Sequence, residues 1–284
     1  MAAIPRRLRR SPVGLVGLVL VMAVVGVAIF AQWLAPHDPN LKNPSLRLKP
    51  PAWAEGSVPG YPLGTDVLGR DQLSRLIYGA RISVAVGAAA VVVAGAIGIT
   101  MGMVAGYMGG WVDALLMRFT DGFLAIPSLL LTMMVAGVAG PGIWTLIIVL
   151  GATRWVEYCR VVRGETLAIR EREYVQAAVA LGQRTAPILW KHVLPNVRAS
   201  IIVLATLNVA NVILAEAGLS FLGLGVPPDV PTWGRMLAEG RQYMASAWWL
   251  ATFPGICISV TVLGITFLGD WLRDVLDPRL RRSA

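Results

Sequence analysis

Charge is scarce in this chain. Only 14% of its 284 residues are Asp, Glu, Lys or Arg, while 56% are hydrophobic and mean hydropathy is +0.66. A soluble domain carries roughly a quarter charged residues, so the composition excludes an ordinary soluble enzyme and points to an integral membrane protein. The chain has only two histidines and two cysteines. Cys159 and Cys257 stand in or beside apolar segments, without Cys-x-x-Cys or Cys/His spacing, so neither a metal site nor a disulfide is expected. No His-Glu-x-x-His or Gly-x-Ser-x-Gly stretch occurs, and the parts of hydrolytic chemistry are missing. The one phosphate-loop spacing, Gly64 to Gly69, is followed by Arg70 and Asp71. A phosphate loop needs Lys and then Ser or Thr there, and Asp71 repels phosphate. The expectation is a non-catalytic membrane chain that holds no cofactor of its own.

What is present is a series of long apolar runs. They are unbroken, whereas the strands of a membrane barrel alternate over about ten residues. The fold class expected is therefore all-α integral membrane. Residues 13–34 carry no charge, a length that crosses a hydrocarbon core of about 30 Å. They exceed a signal-peptide core and end in no small-x-small cleavage site. Residues 35–81 are punctuated by Pro36, Pro39, Pro44, Pro50, Pro51, Pro59 and Pro62 and read as an extended connection. At its end, residues 63–82 predict a short amphipathic helix capped by Thr65 or Asp66, with Asp66/Arg70 and Asp71/Arg75 pairs. A second span covers 82–108, with Gly98, Gly102 and Gly106 on one face, a stripe suited to close packing within the chain. A third has its apolar body at 122–139, bent at Pro127, with Arg118 and Asp121 spaced to pair. A fourth starts at Ile143 and protrudes beyond Arg154, Glu157 and Arg160. The fifth and sixth are 199–221 and 247–269, separated by an external loop at 222–246. The sum is six transmembrane helices.

The formal charge of +9 is distributed by topology. Arg6, Arg7, Arg9 and Arg10 precede the first span, Arg273, Arg279, Arg281 and Arg282 follow the last, and the segment from Arg154 to Arg198 is basic. Such clustering marks cytoplasmic segments and puts both termini inside. Anionic membrane lipid, and no nucleic acid, is the partner that this pattern predicts.

Residues 173–196 are soluble-looking sequence inside this greasy chain. The periodicity predicts a helix over 165–181 ended by Gly182, a second short helix opened by Thr185 and Pro187, and a stop at Pro195. Trp190 beside Lys191 and His192 resembles a knob for a protein groove more than a lipid-binding face. Glu216 is the ionisable residue that stands out within a span. Such a residue is a functional candidate by default, but Gly218, Gly223 and Pro227 bring its helix end close, which favours a structural role.

Gln176-Ala177-Ala178, then Gly182, then Leu194-Pro195-Asn196 resembles the coupling ("EAA") loop of permease subunits of bacterial ATP-binding-cassette importers. Gln176 departs from the family glutamate, so a salt bridge from this position is in doubt. Residues 62–83 and 215–228 resemble segments of peptide-importer permeases, and the single first helix with its long connection is similar to the "C" permease of the dipeptide/oligopeptide group. The resemblance implies the MetI-like (type I importer) permease fold, with residues 1–34 as basic tail and first helix, 35–81 as external connection and 82–284 as a five-helix core whose coupling loop lies near 164–197. It implies ATPase coupling by Gln176, Ala177, Ala178, Gly182, Leu194 and Pro195, with Glu216, Asp121 and Arg118 as further intramembrane candidates. The implied partners are a second homologous permease, two cytoplasmic ATPase subunits that bind ATP and Mg, and an extracytoplasmic peptide-binding protein. Peptide is the implied substrate and the bacterial inner membrane the site. Glutathione or nickel import by the same fold, a lone proton-coupled carrier, and a scaffold remain as alternatives. Few His and scattered Met disfavour nickel, and the lack of an intramembrane charge network and of an internal repeat disfavours a carrier.

Overall fold

The structure, a computed structural model, describes residues 11–276. The basic residues Arg6, Arg7, Arg9, Arg10, Arg279, Arg281 and Arg282 lie outside the described residues. Helix α1 is Pro12–Ile29, opened by the Ser11 side chain, which accepts from Gly14 N, and by Pro12 in the first turn. A one-turn helix, Ala31–Leu34, follows. The proline-rich connection then lies back along its own end: Leu48 N donates to Asp66 O and Ala52 N to Pro62 O.

Helix α2 is Gln72–Met108, 37 residues and about 55 Å long at 1.5 Å per residue. It corrects the expectation of a separate short helix capped by Thr65 or Asp66. The cap is Asp71, whose Oδ2 accepts from Ser74 N at 3.0 Å, and the helix runs on without a break into the span. Thr65 and Asp66 sit instead in the preceding turn, where Asp66 Oδ1 accepts from Leu68 N and Arg70 N.

Gly109 and Gly110, both at positive φ, turn the chain into α3, Gly110–Leu124, and then α4, Ser128–Ala139. Pro127 does more than bend this segment: the two helices meet at 83°. Proline cannot donate to the preceding turn, and the residue before it is pushed out of the helical region. Helix α5, Ile143–Arg170, is followed by α6, Glu173–Ala180, and by α7, Thr185–Phe221. The loop helix α8 is Trp233–Gly240, and α9, Trp249–Leu276, completes the described residues.

By length and composition, α1, α2, α7 and α9 can each cross a membrane, and α3 with α4 makes a fifth crossing if the bent pair is one span. Helix α5 is outside that count, with Arg154, Glu157 and Arg160 near its middle. Its placement makes six crossings consistent. The glycine stripe of α2 is its seat: a Cβ on Gly102 would stand 2.6 Å from Cys159 O, and one on Gly106 2.7 Å from the Thr166 Cβ, while Gly151 faces Val93. Residue numbers rise together on both helices, so α5 runs parallel to α2 and at the same depth. Small residues allow the two backbones to approach this closely. A second, unpredicted seam joins α1 antiparallel to α9, with Gly14 against Trp271, Gly17 against the Leu268 backbone and Gly264 against Leu20. Helix α7 lies antiparallel to α2, and Val86, Ala90, Ala94, Leu146, Leu150 and Val212 fill the space between α2, α5 and α7.

Two matched substitutions test the stripe. Gly98→Ala meets the Trp155 carbonyl and the Tyr158 Cβ, whereas Gly122→Ala meets nothing within 4 Å. Overpacking costs about 1–3 kcal/mol, so the first variant should melt several degrees lower in detergent and the second should melt at or above the native temperature. Equal melting of both would show that the stripe does not set the packing.

Candidate functional site

The polar hairpin caps one end of the bundle. Helix α5 breaks at Glu171 and Arg172, which corrects the expected continuous helix over 165–181. The break lays α6 across the end of α5 and lets Val175 and Ala178 reach Met103, Val162, Ile188, Val193 and Val197. A straight continuation would carry those apolar groups into water.

Gly182 ends α6 as expected. It sits at φ +76°, Gln183 N donates to Ala178 O at 3.0 Å and Gly182 N to Val179 O at 2.9 Å, the paired bonds of a glycine-terminated helix. Pro195 does not stop the second arm. It lies in the first turn of Leu194–Phe221, and the turn before it widens so that Leu194 N reaches Leu189 O. The missing N–H is absorbed by that wider turn, and α7 continues through it. Gln183 Oε1 and His192 Nε2, 3.1 Å apart, tie the two arms together.

Gln176, Ala177, Gly182 and Pro195 are exposed on the hairpin, while Ala178 is buried beneath it and Leu194 half-buried. The residues expected to act together are thus brought to one structural unit, four facing out and two fixing it to the bundle. Around them stand exposed apolar side chains that solvent alone would not favour: Tyr174, Val179, Trp190 at 62% and Leu181 at 88% exposure.

Asp121, Arg118 and Glu216 are not brought together. Asp121 pairs with Arg160 at 2.6 Å, not with Arg118, which is exposed and forms no ion pair among the described residues. Asp113 and Arg163 make a second, bidentate link between α3 and α5. The three-residue spacing on α3 lost to α5 because a guanidinium on the facing helix meets the carboxylate head-on. Glu216 is 1% exposed and held by hydroxyls: Ser220 Oγ donates to Oε1 at 2.7 Å and Ser83 Oγ to Oε2 at 3.3 Å. Asp121 lies level with Gly102 of α2 through Arg160, whereas Glu216 lies level with Ser83, about 28 Å away along the axis.

At the end of the bundle opposite the hairpin is a buried ion network, of which the expected Asp66/Arg70 pair is one link; its other links were not found from the sequence. Asp66 Oδ2 accepts from Arg70 Nε at 2.6 Å and from Arg75 Nη1 at 2.5 Å, and Glu239 Oε2 accepts from the same two arginines at 3.0 and 2.8 Å. Arg235 adds a bond to Glu239 Oε1 at 3.1 Å. Arg75 therefore pairs with Asp66 and Glu239 and not with Asp71, which is engaged by Ser74 and His37. Trp233 Nε1 to Leu76 O and Trp249 Nε1 to Thr65 O fasten the same region. Local spacing announces only the Asp66/Arg70 pair; Glu239 lies 164 residues from Arg75.

The family model described as "binding-protein-dependent transport system inner membrane component" matches residues 98–282, and the model of the N-terminal TM domain of oligopeptide transport permease C matches residues 3–51. The chain is 43% identical over 268 residues to the di/tripeptide transport system permease protein DppC of Pseudomonas aeruginosa, covering 94% of this chain and 88% of that protein. It is 40% identical to the dipeptide transport system permease protein DppC of Haemophilus influenzae, over 94% and 91% of the two chains. Against the oligopeptide transport system permease protein OppC of Bacillus subtilis the identity is 39%, over 97% and 88%.

The ion network carries its own test. Removing one partner of a buried pair costs about 3–5 kcal/mol, whereas an exposed pair contributes about 0–1 kcal/mol. Glu239→Ala should therefore lower the melting temperature sharply, and Asp121→Asn should leave it nearly unchanged. A neutral Glu239→Ala would show that the network is not needed for the fold.

Proposed function

Because the chain belongs to the family of binding-protein-dependent transport system inner membrane components, we propose that it is the permease half of an ATP-driven importer of di- and oligopeptides. It is a multi-pass inner-membrane subunit, and permease subunits of this family do no chemistry of their own. In this reading the hairpin end faces the cytoplasm, in line with the basic residues from Arg154 to Arg198, and the connection end faces outside. A second homologous permease completes the pathway. ATPase subunits, binding ATP and Mg, dock on the hairpin, and an extracytoplasmic binding protein delivers peptide to the opposite end.

One observation carries the coupling role. The hairpin is a rigid unit, clamped from below by Val175, Ala178, Ile188 and Val193, that exposes Leu181 and Trp190. An apolar knob on a stiff base transmits a push, and a partner groove would bury it. Gln176 and Ala177 lie on the outward face beside this knob. The Gln176 side chain makes no hydrogen bond among the described residues, so its amide is free to bond a partner where the family glutamate would offer a charge. Movement of the hairpin with closing ATPases would turn the cavity from one side to the other, a rigid-body repacking between two states.

The reading is tested with the assembled transporter in proteoliposomes. Trp190→Ala should weaken ATPase binding about 30-fold, as loss of an aromatic interface anchor worth about 2 kcal/mol does. Gly182→Val puts a β-branched side chain at a left-handed position, a strain of about 1–3 kcal/mol, and should uncouple ATP hydrolysis from peptide uptake while the chain still inserts and assembles with the second permease. Full uptake by both variants would overturn the coupling assignment.

A further inference from the structure

A cavity of about 1090 Å³ opens at the hairpin end between α5, α7, α9 and the start of α6. It reaches from Asn196 to Leu207 on α7, about 16 Å along that helix. Its deep wall is apolar, with Val203, Leu204 and Leu207, and its mouth carries Glu165, Arg172, Tyr174, Asn196, Ser200 and Arg273. The charges at the mouth differ from others at this end of the bundle. Asp113 and Asp121 are matched by Arg163 and Arg160, but Glu165, Arg172 and Arg273 form no ion pair among the described residues. Glu165 is half-buried and held in place by the Ser200 hydroxyl, which donates to its Oε1. Charges of both signs are therefore directed into one space without satisfying one another.

We propose that this cavity is a binding site for a short zwitterionic peptide on the hairpin side of the membrane, with Arg172 and Arg273 receiving the carboxylate and Glu165 the ammonium group. The inference rests on the peptide-importer reading and adds to it a product-side site. The volume lies just above the usual range of small-ligand pockets, about 300–1,000 Å³. The apolar depth suits side chains of any kind, and the polar mouth recognises only the termini that all linear peptides share. An anionic headgroup would use the arginines but would meet the fixed carboxylate of Glu165, so the mixed charge favours a ligand that carries both signs. Two lining residues, Arg172 and Tyr174, belong to the turn and first arm of the hairpin. Occupancy therefore bears on the lever itself, and peptide accumulating on this side should slow further turnover.

The test uses the complete transporter in proteoliposomes, with trialanine supplied on the hairpin side at graded concentration and both ATP hydrolysis and peptide uptake measured. Trialanine should inhibit, and N-acetylation or C-amidation should each weaken inhibition about ten-fold, the loss expected for one charge-assisted contact. Glu165→Gln should abolish the discrimination against the acetylated peptide alone. The double substitution Arg172→Gln/Arg273→Gln should abolish the discrimination against the amidated one. Uptake with no inhibition, or with equal inhibition by free and blocked peptides, would overturn the site while leaving the importer reading intact. No uptake of any peptide would overturn both.

Discussion

The close approach of α2 and α5 is the contact on which the rest of the structure depends. Gly98, Gly102 and Gly106 remove the side chains that would hold the two helices apart, and the backbone of α5 takes their place. Lipid offers no hydrophobic force between helices, so close packing has to supply the association. The same contact fixes the depth of α5, whose own composition does not mark it as a span. It also brings Val162 beside Met103, and those two residues form the seat for the hairpin. Arg160 and Arg163 are thereby presented to Asp121 and Asp113, so α3 is located by the same contact.

The two ends of the bundle are built differently. The hairpin end is a polar loop fastened by apolar contacts. The opposite end is a proline-rich connection and a loop helix fastened by buried charge. Asp66, Arg70, Arg75 and Glu239 lock the start of α2 to α8, so these segments would move as one body. Between them lies Glu216, satisfied by hydroxyls from α2 and α7, which ties two spans together and has no charged partner among the described residues.

Much of this was legible in the residue order. The apolar runs marked the helices because hydrocarbon demands about 20 apolar residues in sequence. Gly182 marked the end of α6 because only glycine takes a left-handed terminal residue without strain, and the glycine stripe marked a close contact. The hairpin stood out by polarity, and its motif pointed to the permease family. Less legible were the features that depend on competition. Pro195 looked like a stop, but a widened turn absorbed its missing N–H. Arg118 looked like the partner of Asp121 by spacing, but Arg160 on α5 reached it instead. Asp71 capped α2 where Thr65 or Asp66 was expected, because Asp66 was already committed to its own turn and to two arginines.

The sequence by itself determined the class of protein, the positions of most helices, the polar hairpin and the family. Those are set by local period, by single-residue backbone preferences and by motif, all of which act within a few turns of chain. Only the tertiary structure decided that α5 shares the depth of α2, that Glu239 completes a network with residues more than 160 positions away, and that Glu165, Arg172 and Arg273 surround one cavity. Each of these depends on which distant segment packs against a charge or a groove in the folded chain, and no local pattern encodes that outcome.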